Sequence, residues 1–139
     1  MKDKLNLKEE EICNFIVSTK RKKIWQKELD ILEKIIQICE KNNIQYSLSG
    51  GSLLGAVRHQ GYIPWDDDID IIMKRKEYNN FLNIAEKEFK YPYFIQYYKT
   101  EKNYIRGHAQ IRNSETTAIL ENENDCFNKE IFNEAFFFY

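Results

Sequence analysis

Gly50-Gly51-Ser52-Leu53-Leu54-Gly55-Ala56-Val57-Arg58-His59, followed by Gly61-Tyr62-Ile63-Pro64-Trp65-Asp66-Asp67-Asp68-Ile69-Asp70-Ile71-Ile72, is the stretch whose reading decides the fold. Residues 44–49 lead into it as a short strand that runs onto two adjacent glycines. Glycine adopts positive φ and lets other groups approach the backbone closely. Ser52 fits an N-cap, so residues 53–59 read as one or two helical turns. A strand, a Gly-Gly-Ser turn and a helix N-terminus together form a phosphate-binding arrangement, because free N–H groups and the positive end of the helix dipole both point there. Gly61 and Pro64 mark a turn, and a strand carrying acid follows.

In that strand side chains alternate between faces. Asp68, Asp70 and Ile72 share one face; Ile69, Ile71 and Met73 share the other. Two carboxylates two residues apart converge, and Asp66 and Asp67 crowd them. So much like charge is unfavourable unless a cation neutralises it. Hard oxygen ligands suit Mg²⁺ or Mn²⁺, which also hold substrate phosphates. The alternative is an acidic turn in solvent. The β-branched residues around the acids and the preceding glycine turn favour a metal site with Asp68 and Asp70 as ligands, Asp66 and Asp67 mattering less.

The same residues, from Gly50 through Arg58 and His59 and on through Trp65-Asp66-Asp67-Asp68-Ile69-Asp70, resemble the signature of the LicD family of phosphotransferases, almost unbroken and with its internal spacing. The resemblance implies an α+β nucleotidyltransferase fold with a small mixed sheet and N-terminal helices packed on it. It implies transfer of a phospho-alcohol, phosphocholine or an alditol phosphate, from a CDP-activated donor to a glycan hydroxyl in cell-surface polysaccharide synthesis. Gly50, Gly51 and Ser52 would then grip the donor phosphates and Asp68 and Asp70 would hold Mg²⁺ or Mn²⁺. Two other readings stay open: a non-catalytic domain that binds nucleotide or a partner chain, and a nucleotidyltransferase that releases pyrophosphate.

The 139 residues make one domain, with a helical part at 1–43 and a catalytic core at 44–139. A net charge of −1 gives no electrostatic case for nucleic acid. The basic run at 20–23 reads as a solvated face. Cys13, Cys39 and Cys126 form no metal-binding pair, which fits a reducing compartment. No signal peptide or membrane-spanning segment is expected. The expected location is cytoplasmic, with room for peripheral association at the inner face of the membrane. Oligomeric state is not legible.

Along the chain, Asn6 and Glu9 read as a capping box opening a helix to residue 19, with Leu7, Ile12, Phe15 and Ile16 as its apolar side. Trp25, Leu29, Leu32, Ile36 and Cys39 mark a stronger helix that ends near Asn42 and Asn43. Tyr78, Phe81, Leu82, Ala85 and Phe89 mark another, broken at Pro92. Residues 94–98 and 104–112 read as two strands joined by a polar hairpin turn at 99–103.

Arg58 is a candidate phosphate ligand through its bidentate guanidinium, or else a surface residue at a helix end. His59 reads as structural. Arg106, His108, Gln110 and Arg112 share one face if 104–112 is a single strand, lining either the donor pocket or the solvent side. A weaker family block around 109–117 raises Arg112 above Arg106. At 130–136 the family pattern is altered: Glu130 stands for Gly, Asn133 for an apolar residue and Glu134 for Asp. This suggests a shortened member or a fragment. Glu134 is the expected third catalytic carboxylate.

Overall fold

The computed structural model describes residues 5–116 and the backbone of a strand at Ala135–Phe138. The architecture is α+β. A two-stranded hairpin comes first, β1 (Glu10–Ile12) and β2 (Phe15–Val17). Helix α1 (Thr19–Lys41) follows, then β3 (Ser47–Leu48), α2 (Gly50–Arg58), β4 (Asp70–Ile72), α3 (Arg75–Glu88), β5 (Tyr93–Gln96), β6 (Gln110–Asn113) and β7 (Ala135–Phe138). The last five strands form one sheet in the order β3-β4-β7-β6-β5. The sheet is mixed: β4 and β7 run parallel, and every other pair is antiparallel.

The helix expected from Asn6 to residue 19 is replaced by the hairpin. The Asn6 side chain accepts from the Lys8 N–H (3.1 Å) and closes a local turn instead of capping a helix. Cys13 and Asn14 both take positive φ (53° and 60°), the geometry of a two-residue hairpin turn whose twist matches its strands. Burial then follows a period of two: Val17 is fully buried while its neighbour Ile16 is 64% exposed. The basic run lies in the first turn of α1, behind the Ser18 N-cap, whose Oγ accepts from the Arg21 N–H. That helix ends where expected, with Asn43 in the left-handed region.

Ile31, Ile35 and Ile38 of α1 and Phe81, Leu82 and Ala85 of α3 pack with Ile71, Ile111 and Ile95 of the sheet. Both helices therefore cover one sheet face. Ile69, Ile71 and Met73 point into this core while Ile72 is 44% exposed, as the alternation of the acid strand requires. Asp70 is thereby directed to the opposite face.

Two further boundaries differ from expectation. Ser49, not Ser52, is the N-cap of α2, and its side chain makes no capping bond. Ser52 lies inside the helix, where its Oγ accepts from the Asp70 N–H at 2.8 Å. The segment 104–112 is not one strand. Pairing of β5 with β6 spans four residues, Tyr93 with Asn113 through Gln96 with Gln110, and residues 97–109 form a long connection. That connection is held by Thr100 bonding the Tyr97 backbone and by the Tyr104 hydroxyl donating to the His108 carbonyl. Arg106 and His108 therefore do not share a strand face with Arg112.

Gly55 fixes how α2 meets the turn behind it. A Cβ there would stand 2.5 Å from the Gly61 carbonyl oxygen and 3.1 Å from the Ile63 nitrogen, both backbone atoms. The Gly61 N–H also donates to the Gly55 carbonyl, so the chain folds directly back over this glycine. Gly55→Ala should lower unfolding free energy by about 1–3 kcal/mol, the range for an overpacked site. Gly61→Ala, with nothing within 4 Å of its added carbon, should change it by less than about 0.5 kcal/mol. Urea unfolding of the two variants checks this contrast.

Candidate active site

Residues at the start of α2 and on the strand beside it form one unit. The Ser49 N–H donates to the Asp70 carbonyl (3.0 Å), and Ser52 Oγ accepts from the Asp70 N–H (2.8 Å). These two bonds fasten the helix N-terminus to β4. The glycines let the acids come close. A Cβ on Gly50, whose φ is +50°, would lie 2.9 Å from Asp70 Oδ2, and one on Gly51 would lie 2.5 Å from Asp66 Oδ2. The helix N-terminus thus faces two carboxylates, and its positive dipole end favours their charge. The first N–H groups of α2 have no intrahelical acceptor, as at any helix start.

Asp66 is the residue that sequence reasoning underrated. The sequence ranks it below Asp68 and Asp70, yet it lies against Gly51. Its amide donates to the Ile63 carbonyl (2.9 Å), which turns the chain and returns its side chain to the helix. The signal was in the sequence: Pro64 and Gly61 bend the segment, so alternation along a strand does not apply there.

The repulsion falls most heavily on Asp68. Burial first, then the charges of Asp70, Asp66 and Asp67 and a hydrogen bond with the Asp66 side chain, push its carboxyl up to about 7. Asp70 is also raised, by burial and then by Asp66. The donor set is hard oxygen, and the repulsion within it is what a divalent cation would relieve. Among the described residues no three His, Cys, Asp or Glu side chains are arranged to hold an ion. The described residues do not form an all-protein cage; a cation here would rest on at most two of these side chains, with its other positions open to phosphate and water.

Gln110 and Asp70 both pair with Phe137 from opposite sides of β7, so they share one sheet face. Two strand spacings separate them, roughly 10 Å. Arg112 lies two residues further along the same face; it is buried, and its Nη2 donates to Gln110 Oε1 (2.8 Å). The acid face of the sheet thus carries a guanidinium, and the solvent-side alternative for Arg112 does not hold. Arg58 is the last residue of α2 and is exposed. It lies eight residues from Gly50, roughly 12 Å along the axis, so the structure does not bring it to the glycine turn. Glu134 lies outside the described residues.

A cavity of about 660 Å³ is lined among others by Trp25, Leu29, Tyr62, Gly51, Ser52 and Asp66. Among the described residues no helix is long and apolar enough to cross a membrane.

Residues 43–137 match the family model described as LicD/FKTN/FKRP, nucleotidyltransferase domain. Similar proteins include the lipopolysaccharide cholinephosphotransferase LicD of Haemophilus influenzae, 54% identical over 60 residues (43% of this chain, 23% of that protein). An uncharacterized protein of Rickettsia typhi is 43% identical over 63 residues (45% and 20%). The ribitol 5-phosphate transferase FKRP of Homo sapiens is 49% identical over 37 residues (27% and 8%). The matched stretches span less than a quarter of each of these relatives.

The raised Asp68 carboxyl has a consequence for stability in metal-free buffer. The unfolded chain releases this proton near pH 4, whereas the folded chain keeps it to about pH 7. Folding is therefore favoured by the protonated form, and this contribution is lost as the pH rises through that window. Asp68→Asn, uncharged throughout, should flatten the fall in stability between about pH 4 and pH 7. Urea midpoints measured across that range with a chelator present test it; an unchanged slope would mean that Asp68 titrates normally.

Proposed function

The chain belongs to the LicD/FKTN/FKRP nucleotidyltransferase-domain family, and on that premise we propose that it carries the donor site of a phosphotransferase moving a phospho-alcohol from a CDP-activated donor to a glycan hydroxyl. One observation carries the reading: the helix N-terminus at Gly50 and Gly51 lies against the carboxylates of Asp70 and Asp66, which stand within 2.9 Å and 2.5 Å of where side chains there would begin. N–H donors for phosphate and acids for a cation stand side by side, which is what a diphosphate donor requires.

In this proposal Asp68 and Asp70 hold Mg²⁺ or Mn²⁺, and Gly50, Gly51 and Ser52 offer first-turn N–H groups to the phosphates. When bound, the cation would neutralise charge on the diphosphate and on the leaving nucleotide. Ser52 keeps the acid strand in register with the helix through its bond to the Asp70 amide. The acceptor hydroxyl oxygen forms a bond to the phosphorus that bears the alcohol, and the bond from that phosphorus to CMP breaks. The hydroxyl proton passes to a carboxylate of the cluster, for which Asp66 is available. Arg112, fixed by Gln110 on the same sheet face, supplies positive charge toward the donor. Arg58 is left to a more distant part of the substrate, and Glu134 is the remaining candidate carboxylate. Placement at the cytoplasmic face of a membrane, where a glycan acceptor is assembled, belongs to the same proposal.

CDP-choline, CDP-ribitol and CDP-glycerol separate the candidate donors. With Mg²⁺ present, the true donor should stabilise the fold by about 2.7 kcal/mol at a hundredfold excess over Kd, read as a rise in Tm. Asp68→Ala and Asp70→Ala should each abolish that rise while remaining folded. Turnover should release CMP; pyrophosphate instead would reassign the chain to nucleotidyl transfer, and binding without turnover would make it a binding domain. Retained Mg²⁺-dependent donor binding in both variants would sink the metal assignment.

A further inference from the structure

The acid turn is held by a part of the chain that the family match does not reach. Residues 43–137 match the family model, whereas the contacts fixing residues 62–66 come from residues 15–25. Trp25 Nε1 donates to the Asp66 carbonyl at 2.8 Å. Arg21 Nη1 donates to the same carbonyl at 3.0 Å and to the Trp65 carbonyl at 3.1 Å. The Trp25 ring stacks on Tyr62, with centroids 4.6 Å apart and planes 3° from parallel. Phe15 of the hairpin meets Trp65 edge-on at 6.0 Å, and the Arg21 guanidinium lies over Phe15. Both carbonyl lone pairs of Asp66 are thus taken by α1, and both aromatic residues of the turn rest on residues of the N-terminal segment.

We infer that Arg21 and Trp25 are positioning residues of the donor site: α1, through their side chains, fixes the turn that places the Asp66 carboxylate against Gly51. The inference rests on the proposed function for its catalytic meaning, but the positioning itself is a statement about the turn alone. Residues 65 and 66 form no regular secondary structure, and they have no ladder to hold them. Their carbonyls need partners, and the partners given are two side chains three and seven residues beyond the N-cap of α1. The spacing of four puts both on one face of that helix. A guanidinium bonded to carbonyls, rather than to the carboxylates, anchors the backbone without neutralising the acids. Outer partners of this kind commonly set affinity at a site they do not touch.

Trp25→Phe removes the indole N–H and keeps an aromatic ring over Tyr62; Arg21→Met removes the guanidinium and keeps a long stem. Two measurements are made on each variant and on the double variant: hydrogen exchange of the Asp66 amide by NMR, and Mn²⁺ affinity by electron paramagnetic resonance. The expected result is faster Asp66 exchange, by about tenfold in the double variant, with amides of the α1 core unchanged. Mn²⁺ Kd should rise by about 10- to 100-fold, and Arg21→Lys should restore part of both. If the double variant does not fold, Trp25→Phe alone decides. Unchanged Asp66 exchange in a folded variant overturns the positioning. Faster exchange with unchanged Mn²⁺ affinity overturns its bearing on the site. If the wild-type chain itself takes up no Mn²⁺, the metal reading falls, and the exchange result alone decides the role of Arg21 and Trp25.

Discussion

Carboxylate oxygens of Asp66 and Asp70 stand where side chains at positions 51 and 50 would begin, and the rest of the site follows from that crowding. A Cβ at either position would push a carboxylate aside, and the φ of +50° at position 50 favours glycine there whatever the space. The same closeness sets the acids against a helix N-terminus, whose dipole offsets part of their mutual repulsion. The rest of that repulsion persists and appears on Asp68, held near 7 by burial and its neighbours. A folded protein tolerates such a cluster because other interactions fix the backbone beneath it.

Those interactions come from both sides of β4. On one side Ile69, Ile71 and Met73 are locked into a core shared with α1 and α3, and alternation then sends Asp70 the other way. On the other, Ser49 and Ser52 bond the Asp70 backbone rather than its carboxylate. Helix α1 takes part twice. Ile31, Ile35 and Ile38 pack under the sheet, while Arg21 and Trp25, nearer its start, hold the turn that precedes the strand. One rigid helix thereby couples the apolar core to the acid cluster.

What could be read from the sequence was what local rules determine. Alternation in residues 68–73, the apolar stripe of α3 and the αL residue ending α1 hold in the structure, while the buried face of α1 is centred on Ile31, Ile35 and Ile38, with Leu29, Leu32 and Ile36 only half-buried. Failures occur where two local patterns compete or where distance matters. Leu7, Ile12, Phe15 and Ile16 fit a helical stripe loosely, but Cys13 and Asn14 accept positive φ and a hairpin forms instead. Tyr104 to Arg112 is rich in strand formers, yet four residues suffice for pairing and the rest is a loop tied by its own hydroxyls. Serine at 49 and at 52 both suit an N-cap; what distinguishes them is the Asp70 amide, which reaches Ser52 from another strand. The two α1 donors were invisible for the same reason. Contacts 41 to 45 residues apart have no local signature.

The disposition of positive charge around the acids carries the last step. Burial and the neighbouring acids are what raise the Asp68 and Asp70 carboxyls. Arg21 is near enough to bond the Asp66 backbone and spends its donors on carbonyls. Arg112, on the same sheet face, is engaged with Gln110. Lys22, buried beneath the hairpin, pairs with Glu10. A fold optimised for stability alone would have turned one of these cations onto the acids, since a single well-placed pair would bring Asp68 back toward the ordinary carboxylate range. The bonds of Arg21 thus support the backbone around the cluster and do not go to its carboxylates. On the proposed reading, a phosphate accompanied by its divalent cation would bridge the acid cluster to the N–H donors it faces.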